Sequence, residues 1–376
     1  MQLLKLVEAQ IQIGVPLPWN VRNRDCTLLL AKAYVVRNES QLEMLLERGM
    51  YVDAEEVRAL AAAQAPPPRT IQSIYARWTG AIDTLELLLP ALPDQKAGFA
   101  PRIHALATEI LELAALDTDI ALFMAVRQDQ ARHLRYGYSH SVYTALLALL
   151  MAQRLGWTPE RILQLTQAAL TMNASIADLQ GQMAHQDHPV LDRQRALIRQ
   201  HPHDSAALLE RAGITDAGWL AAVRQHHEQV GGGGCPTGAA AVDEPAQVLR
   251  MADVFMARIS PRTLRAPLSI QEAARQMFRD DQGGPLSMAV IKEMGIYPPG
   301  DLVQLASGEL GVVLRRGAEA RTPLVAAVSD AQGRSVTSTL QRDTSDPAYA
   351  VTGAATDRSL LARVPPERLY GYALDA

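Results

Sequence analysis

The sequence predicts a mainly α protein: a helical bundle flanked by a small mixed α/β N-terminal domain and a small β-rich C-terminal module. Three observations carry this. From about residue 71 to 299, apolar residues recur at three- and four-residue spacing in run after run. Ahead of them lie two extended apolar runs around a polar turn. Beyond residue 300 the period changes to alternating segments.

Taken in order, Gln10–Leu17 and Thr27–Val36 are extended, and the polar stretch 20–25 between them makes a small hairpin. Asn38 opens a helix with Leu42, Leu45 and Leu46 on one face and Gly49 as its stop, and Tyr51-Val52 returns as a short strand. This sets a first domain at 1–60. Residues 61–70 include three consecutive prolines and read as a linker, since Pro cannot continue a helix. The helical domain at 71–299 is built from the runs 71–89, 98–117, 120–127, 139–155, 159–172, 189–200, 204–212, 216–227, 244–258, 269–278 and 285–294. Pro90, Gly156, Pro202, Gly213 and the run 231–234 punctuate them. The module at 300–376 carries turn signals at Ser307-Gly308 and Gln332-Gly333 between alternating runs.

Composition narrows the classes of function. Of 376 residues, 48% are hydrophobic and 20% charged, the balance of a folded globular chain. With 36 basic and 40 acidic side chains the net charge is −4, which leaves no electrostatic footprint for general nucleic-acid binding. Cys26 and Cys235 are too few for a disulfide framework, so a reducing cytoplasm is expected. No apolar run reaches the roughly 18 residues of a membrane span, and the N-terminus lacks the pattern of a signal peptide.

The residues able to carry chemistry lie in the helical middle. His140 opens a helix, His201 precedes Pro202, His226 and His227 are adjacent, and Asp253 interrupts an apolar helical run. Imidazole and carboxylate are ordinary ligands for Zn, Mn, Fe or Ni, and separate helices of a bundle can bring them together. Each has a plainer reading: a single His is more often a surface or capping residue, and Asp253 can pair with Arg250 on its own helix. Asp178, His185 and His188 read as loop residues. The glycines at 231–234 read as a connector, because the strand and Lys of a phosphate-binding loop are missing.

Together these pieces resemble the HD-GYP family, the metal-dependent phosphodiesterases of bacterial cyclic di-GMP, over roughly residues 130–310. The family's opening His-Ser looks like His140-Ser141, its His-Pro like His201-Pro202, and its His-His-Glu like His226-His227-Glu228. Its Gly-Tyr-Pro looks like Gly234-Cys235-Pro236, and its Ala-Asp like Ala252-Asp253. The exit Gly-Ile-Tyr-Pro-Pro-Gly stands intact at 295–300. The resemblance implies a helical HD-type fold, with His140, His201, His226, His227 and Asp253 as metal ligands. It also implies cyclic di-GMP, a diguanylate cyclase or another signalling protein as partners, and a homodimer. The N-terminal domain resembles the small domain that often precedes such modules.

The departures from the family are specific. Its defining His-Asp falls on Met172 and Asn173, its motif Lys on Ile176, the Asp ahead of Gly-Tyr-Pro on Gly231, and the motif Tyr on Cys235. An acid carried by some members four residues before the first His is Tyr136 here. In a two-metal hydrolase the ions lie about 3.5–4 Å apart and activate a bridging water. Such close dications need a bridging anion, and neutral Asn173 supplies none. Met172 offers a thioether, a poor ligand for Mn or Fe. The expectation is therefore none or one divalent transition metal (Mn, Fe, Zn or Ni), no two-metal centre, and no catalytic residues. The function expected is that of a degenerate receptor or adaptor, with an active phosphodiesterase carrying an atypical metal site as the alternative. Arg224, Arg258, Arg262 and Arg265 are candidates for nucleotide phosphates, against the plainer reading of a solvated helix face.

Overall fold

The computed structural model describes residues 3–5, 11, 13–47, 50–53, 56, 71–92, 98–128, 133–355 and 364–370. The expected linker at 61–70 lies outside the described residues. The chain divides into two compact units, Met1–Arg69 and Thr70–Ala376.

The first unit holds β1 (Leu3–Lys5), β2 (Val21–Arg22), β3 (Leu28–Leu30), α1 (Glu39–Glu47) and β4 (Tyr51–Asp53). Its antiparallel sheet has the order β1-β4-β2-β3. Leu17, Val21, Val36, Leu42, Met50 and Val52 form its core. The two expected runs do meet, through Leu17 N–H to the Tyr34 carbonyl at 2.8 Å and a bridge between Pro16 and Val35. The regular strands, however, lie further into the hairpin. Pro16 and Pro18 have no N–H to donate to a ladder, whereas Val21 is fully buried and the Asn23 side chain accepts from the Asp25 and Thr27 N–H groups to shape the turn.

In the second unit, α2 (Ile71–Ala91), α3 (Phe99–Leu116) and α4 (Thr118–Arg127) precede α5 (Tyr136–Arg154). Then follow α6 (Pro159–Thr171), α7 (Ala177–His185), α8 (Asp192–Arg211), α9 (Ala217–Gln225), α10 (Glu244–Ile259), α11 (Ile270–Asp280) and α12 (Pro285–Met294). Helix α5 is buried on every face from Tyr136 to Ala152 apart from Ser139. A helix apolar all round belongs at the centre of a core, and the other helices pack about it.

Three local differences from the sequence reading have physical causes. Helix α7 carries Asp178 and His185, which read as loop residues; only His188 lies in a loop. The helical pattern there is obscured by Gly181, which is required because a Cβ would stand 2.0 Å from the Leu134 carbonyl oxygen. Gly137 answers the same need, with a Cβ 2.1 Å from the Ala177 oxygen. The runs 189–200 and 204–212 form one helix, α8, continuous through Pro202. Helix α2 likewise runs through Pro90 in its last turn.

The C-terminal module is an antiparallel sheet of β5 (Leu302–Leu305), β6 (Leu310–Arg315), β7 (Leu324–Ser329), β8 (Ser335–Asp343) and β9 (Val351–Ala354), in the order β8-β7-β6-β5-β9. Both expected turns are present, with Gly308 and Gly333 at positive φ. One face of the sheet joins the bundle core through Leu302, Val312, Leu314 and Ala326. Arg315 adds a bidentate pair with Asp117 at 2.9 and 2.6 Å.

Candidate functional site

Three histidines converge between α8 and the end of α9. The ligating nitrogens of His201, His226 and His227 lie within 4.8 Å of one another. Local backbone chemistry explains why the first two point their Nε2 atoms inward. Pro202 has no N–H, so it leaves the Ile198 carbonyl of α8 without its helical donor. His201 Nδ1–H donates to that carbonyl at 2.6 Å. Helix α9 ends at Gln225, which leaves its last carbonyls free. His226 Nδ1–H donates to one of them, that of Val223, at 2.7 Å.

A carbonyl only accepts, so both Nδ1 atoms carry the proton and both Nε2 atoms present lone pairs. Those lone pairs face each other across 3.0 Å. Burial pushes His201 down to about 4 and His226 well below its ordinary value, with neighbouring imidazoles adding to the shift. Protonation therefore does not relieve the opposed lone pairs near neutral pH, whereas a cation between them does. His227 is lowered too, chiefly by burial. Neutral imidazoles oriented through Nδ1 by backbone carbonyls are the ordinary donor set for a divalent transition ion. This trio fits one such ion.

His140 and Asp253 form a second group. His140 Nε2 donates to Asp253 Oδ1 at 2.7 Å, and His140 Nδ1 is buried with no partner among the described residues. Burial alone would raise the Asp253 carboxyl, but the His140 hydrogen bond and the nearby imidazoles hold it below its ordinary value. The Tyr136 ring stacks on His140 at 5.1 Å, and the Tyr136 hydroxyl accepts from Arg262 Nη2 at 2.9 Å. A cavity of about 180 Å³ opens onto His140, His201, His227, Asp253, Tyr136 and Arg262.

The positions that the sequence reading marked as departures from the resemblance are equally well defined. Met172 caps α6 and is fully buried in the main core. Asn173 is 1% exposed, and its Nδ2 has no partner among the described residues. Ile176 lines the cavity as an apolar wall. Gly231 takes a positive φ, and its N–H donates to the Ala240 carbonyl at 3.0 Å. Cys235 N–H donates to the His227 carbonyl at 3.2 Å, which ties the glycine loop back to the histidines.

The arginine candidates separate. Only Arg262 reaches the cavity. Arg224 pairs with Glu210, Arg258 with Asp280, and Arg265 donates to the Ala257 carbonyl. Two contributors escaped the sequence reading as site residues. Tyr136 stands one turn before His140 on the same helix face, a spacing that does place side chains together. Glu228 turns away from the cavity: its carboxylate accepts from Thr237 N–H, the Thr237 hydroxyl and Ala239 N–H at 2.8, 2.8 and 3.1 Å, and so organises the glycine loop.

Comparison with known proteins follows the same lines. Residues 122–283 match the family model described as the HD domain. Cyclic di-GMP phosphodiesterase PA4108 of Pseudomonas aeruginosa is 29% identical over 195 residues, 50% of this chain and 47% of its own length. The 3'3'-cGAMP-specific phosphodiesterase 1 of Vibrio cholerae is 26% identical over 175 residues, 46% of this chain and 39% of its own length. The matches thus span less than half of each relative. Bd1817, an HDG"Y"P protein from Bdellovibrio bacteriovorus, covers 77% of this chain and 99% of its own, with a TM-score of 0.48 and 17% identity. Among the described residues, no helix is long and apolar enough to cross a membrane.

Proposed function

We propose, from the match of residues 122–283 to the HD-domain model, that this chain is a catalytically degenerate HD-GYP-like protein of cyclic-di-GMP-related signalling. It acts as a receptor or as a protein-interaction adaptor and does not hydrolyse the dinucleotide through a pair of metals. The observation that carries this reading is Asn173: buried, neutral, and at the position where the resemblance expects the bridging acid. Two dications about 3.75 Å apart repel by roughly 18 kcal/mol at an effective dielectric of about 20. Without a bridging anion that repulsion goes unanswered, and fully buried Met172 removes a ligand from the same place.

His201, His226 and His227 would hold a single Mn, Fe, Zn or Ni ion, and such an ion supplies Lewis acidity when bound. The chain's own groups orient it: the Ile198 and Val223 carbonyls fix two tautomers. His140 Nε2 is taken up by Asp253. The cavity is also small. Its volume of about 180 Å³ lies below the roughly 300–1,000 Å³ of a site that engulfs a drug-sized ligand. A cyclic dinucleotide would rest across the mouth with part of itself inside.

The test is incubation of the full chain with cyclic di-GMP and Mn²⁺, with products separated by chromatography and binding measured by calorimetry. Absence of linear dinucleotide and GMP is expected, whether the chain proves a receptor that binds cyclic di-GMP or an adaptor that does not. Multiple turnovers, abolished by chelation, would overturn this reading in favour of an atypical one-metal phosphodiesterase.

A further inference from the structure

Both acids that could join the three histidines are held away from them. Asp253 Oδ1 accepts from His140 Nε2 at 2.7 Å. His140 is itself buried against the Tyr136 ring, 5.1 Å away with 22° between the planes. Glu228 follows His227 in sequence, yet its oxygens accept from Thr237 and Ala239 of the glycine loop. Among the described residues, the ligand atoms that lie within 4.8 Å of one another come from His201, His226 and His227, with no carboxylate oxygen among them. The rings stand 5.0 Å (His201 to His226), 5.0 Å (His201 to His227) and 4.3 Å (His226 to His227) apart, centre to centre.

A set made only of imidazoles has a definite preference. Imidazole nitrogen suits Zn, Cu, Fe and Ni, whereas carboxylate, carbonyl and water oxygens suit Mn and Mg. Along the first-row divalent ions, affinity at such a site is lowest for Mn²⁺. Three histidines with one open position are a tetrahedral zinc arrangement. Here the open side is the cavity, which His201 and His227 line. Three neutral rings also bring no negative charge to the ion. Asp253 lines the same cavity, but its carboxylate is turned to His140 and stands outside the ligand set, so it acts as a counter-charge through space.

We infer, resting on the single-ion reading above, that the trio is a zinc-type site that discriminates against manganese, and that the His140–Asp253 hydrogen bond keeps it so by withholding the cavity carboxylate from the ion. His140 is then a positioning residue. It acts on the ion through Asp253, and it sets which metal the three histidines take. Breaking that hydrogen bond frees an oxygen donor beside the nitrogens, which moves the site towards the preferences of manganese.

The experiment is competition dialysis of the full chain, stripped with chelator, against equal free Zn²⁺ and Mn²⁺, with both metals counted by elemental analysis. Zinc is expected to fill the site, with manganese at less than about a tenth of it. His140→Phe keeps an aromatic ring against Tyr136 and removes the donor that holds Asp253. Its manganese binding is expected to tighten about tenfold, the low end of what a partner behind the ligands is worth, so the zinc-to-manganese ratio narrows. Adding Asp253→Asn to His140→Phe is expected to abolish that gain, a reversal that loss of packing alone does not produce. Asp253→Asn by itself is expected to keep the preference for zinc. Manganese bound as well as zinc by the unsubstituted chain overturns the inference, as does an unchanged ratio in His140→Phe or loss of zinc in Asp253→Asn. If His140→Phe fails to fold, the unsubstituted chain and Asp253→Asn decide. One ion per chain with no choice between the metals overturns this inference alone, whereas two ions per chain overturn the single-ion reading beneath it. Uptake of neither metal overturns the inference and leaves the degenerate reading standing.

Discussion

Met172→His combined with Asn173→Asp raises the metal content of the protein from at most one ion per chain towards two. The pair restores an imidazole and a carboxylate at positions that are buried and adjacent in sequence, where α6 ends and the chain turns towards α7. His140 and Asp253 now bond to each other and are the ligands available to complete a second site. The same substitutions lower stability when metal is withheld. A buried carboxylate without a partner costs several kcal/mol, and an imidazole in place of Met172 disturbs a fully buried core position. The double variant should therefore melt below the unsubstituted protein in chelator and recover with Mn²⁺ or Zn²⁺. An ion present at a hundred times its dissociation constant returns about 2.7 kcal/mol. Elemental analysis and thermal melts read both effects. A variant that folds but takes up no additional metal would show that residues 172 and 173 do not face a second metal position.

The second large effect is on pH dependence. In chelator-treated protein, stability falls as the pH drops from about 6.5 to about 4. His201 is held down to about 4 by burial when folded and returns to its ordinary value of 6.5 when unfolded. Between those values the unfolded chain carries a proton that the folded chain refuses, so acid favours unfolding. The loss from His201 alone is roughly 3 kcal/mol across that window. His226 is shifted the same way and adds to it, and Asp253, held below its ordinary 3.8, extends the loss to lower pH. Urea unfolding at several pH values between about 7.5 and 4 checks this. A flat or rising stability on acidification would mean that the histidines are not buried as neutral groups.

Much of this was legible in the residues, and the exceptions have physical reasons. Three-to-four spacing marked most helices because the bundle buries one stripe of each. It failed for α7, whose centre is Gly181, a residue chosen for backbone approach to Leu134 and not for helix propensity. It split α8 at Pro202, because local pattern does not reveal that the histidine before the proline takes over the vacated carbonyl. That same substitution of donors is what turns the His201 Nε2 towards His226. The five candidate ligands could be named from motif order, but their division into a convergent trio and a hydrogen-bonded pair is a matter of three-dimensional placement. The arginines show the limit most clearly. Four were near the motifs in sequence, and only Arg262 faces the cavity, because helix phase and loop course decide direction while composition does not.

The most direct test is the number of metal ions bound by the unsubstituted full chain, purified without chelator and measured by elemental analysis against protein concentration. With Asn173 in place of a bridging acid, the count stays at or below one per chain even after Mn²⁺ or Zn²⁺ is supplied, and it falls towards zero when His226 is replaced by alanine. Two ions per chain in the unsubstituted protein would contradict the account.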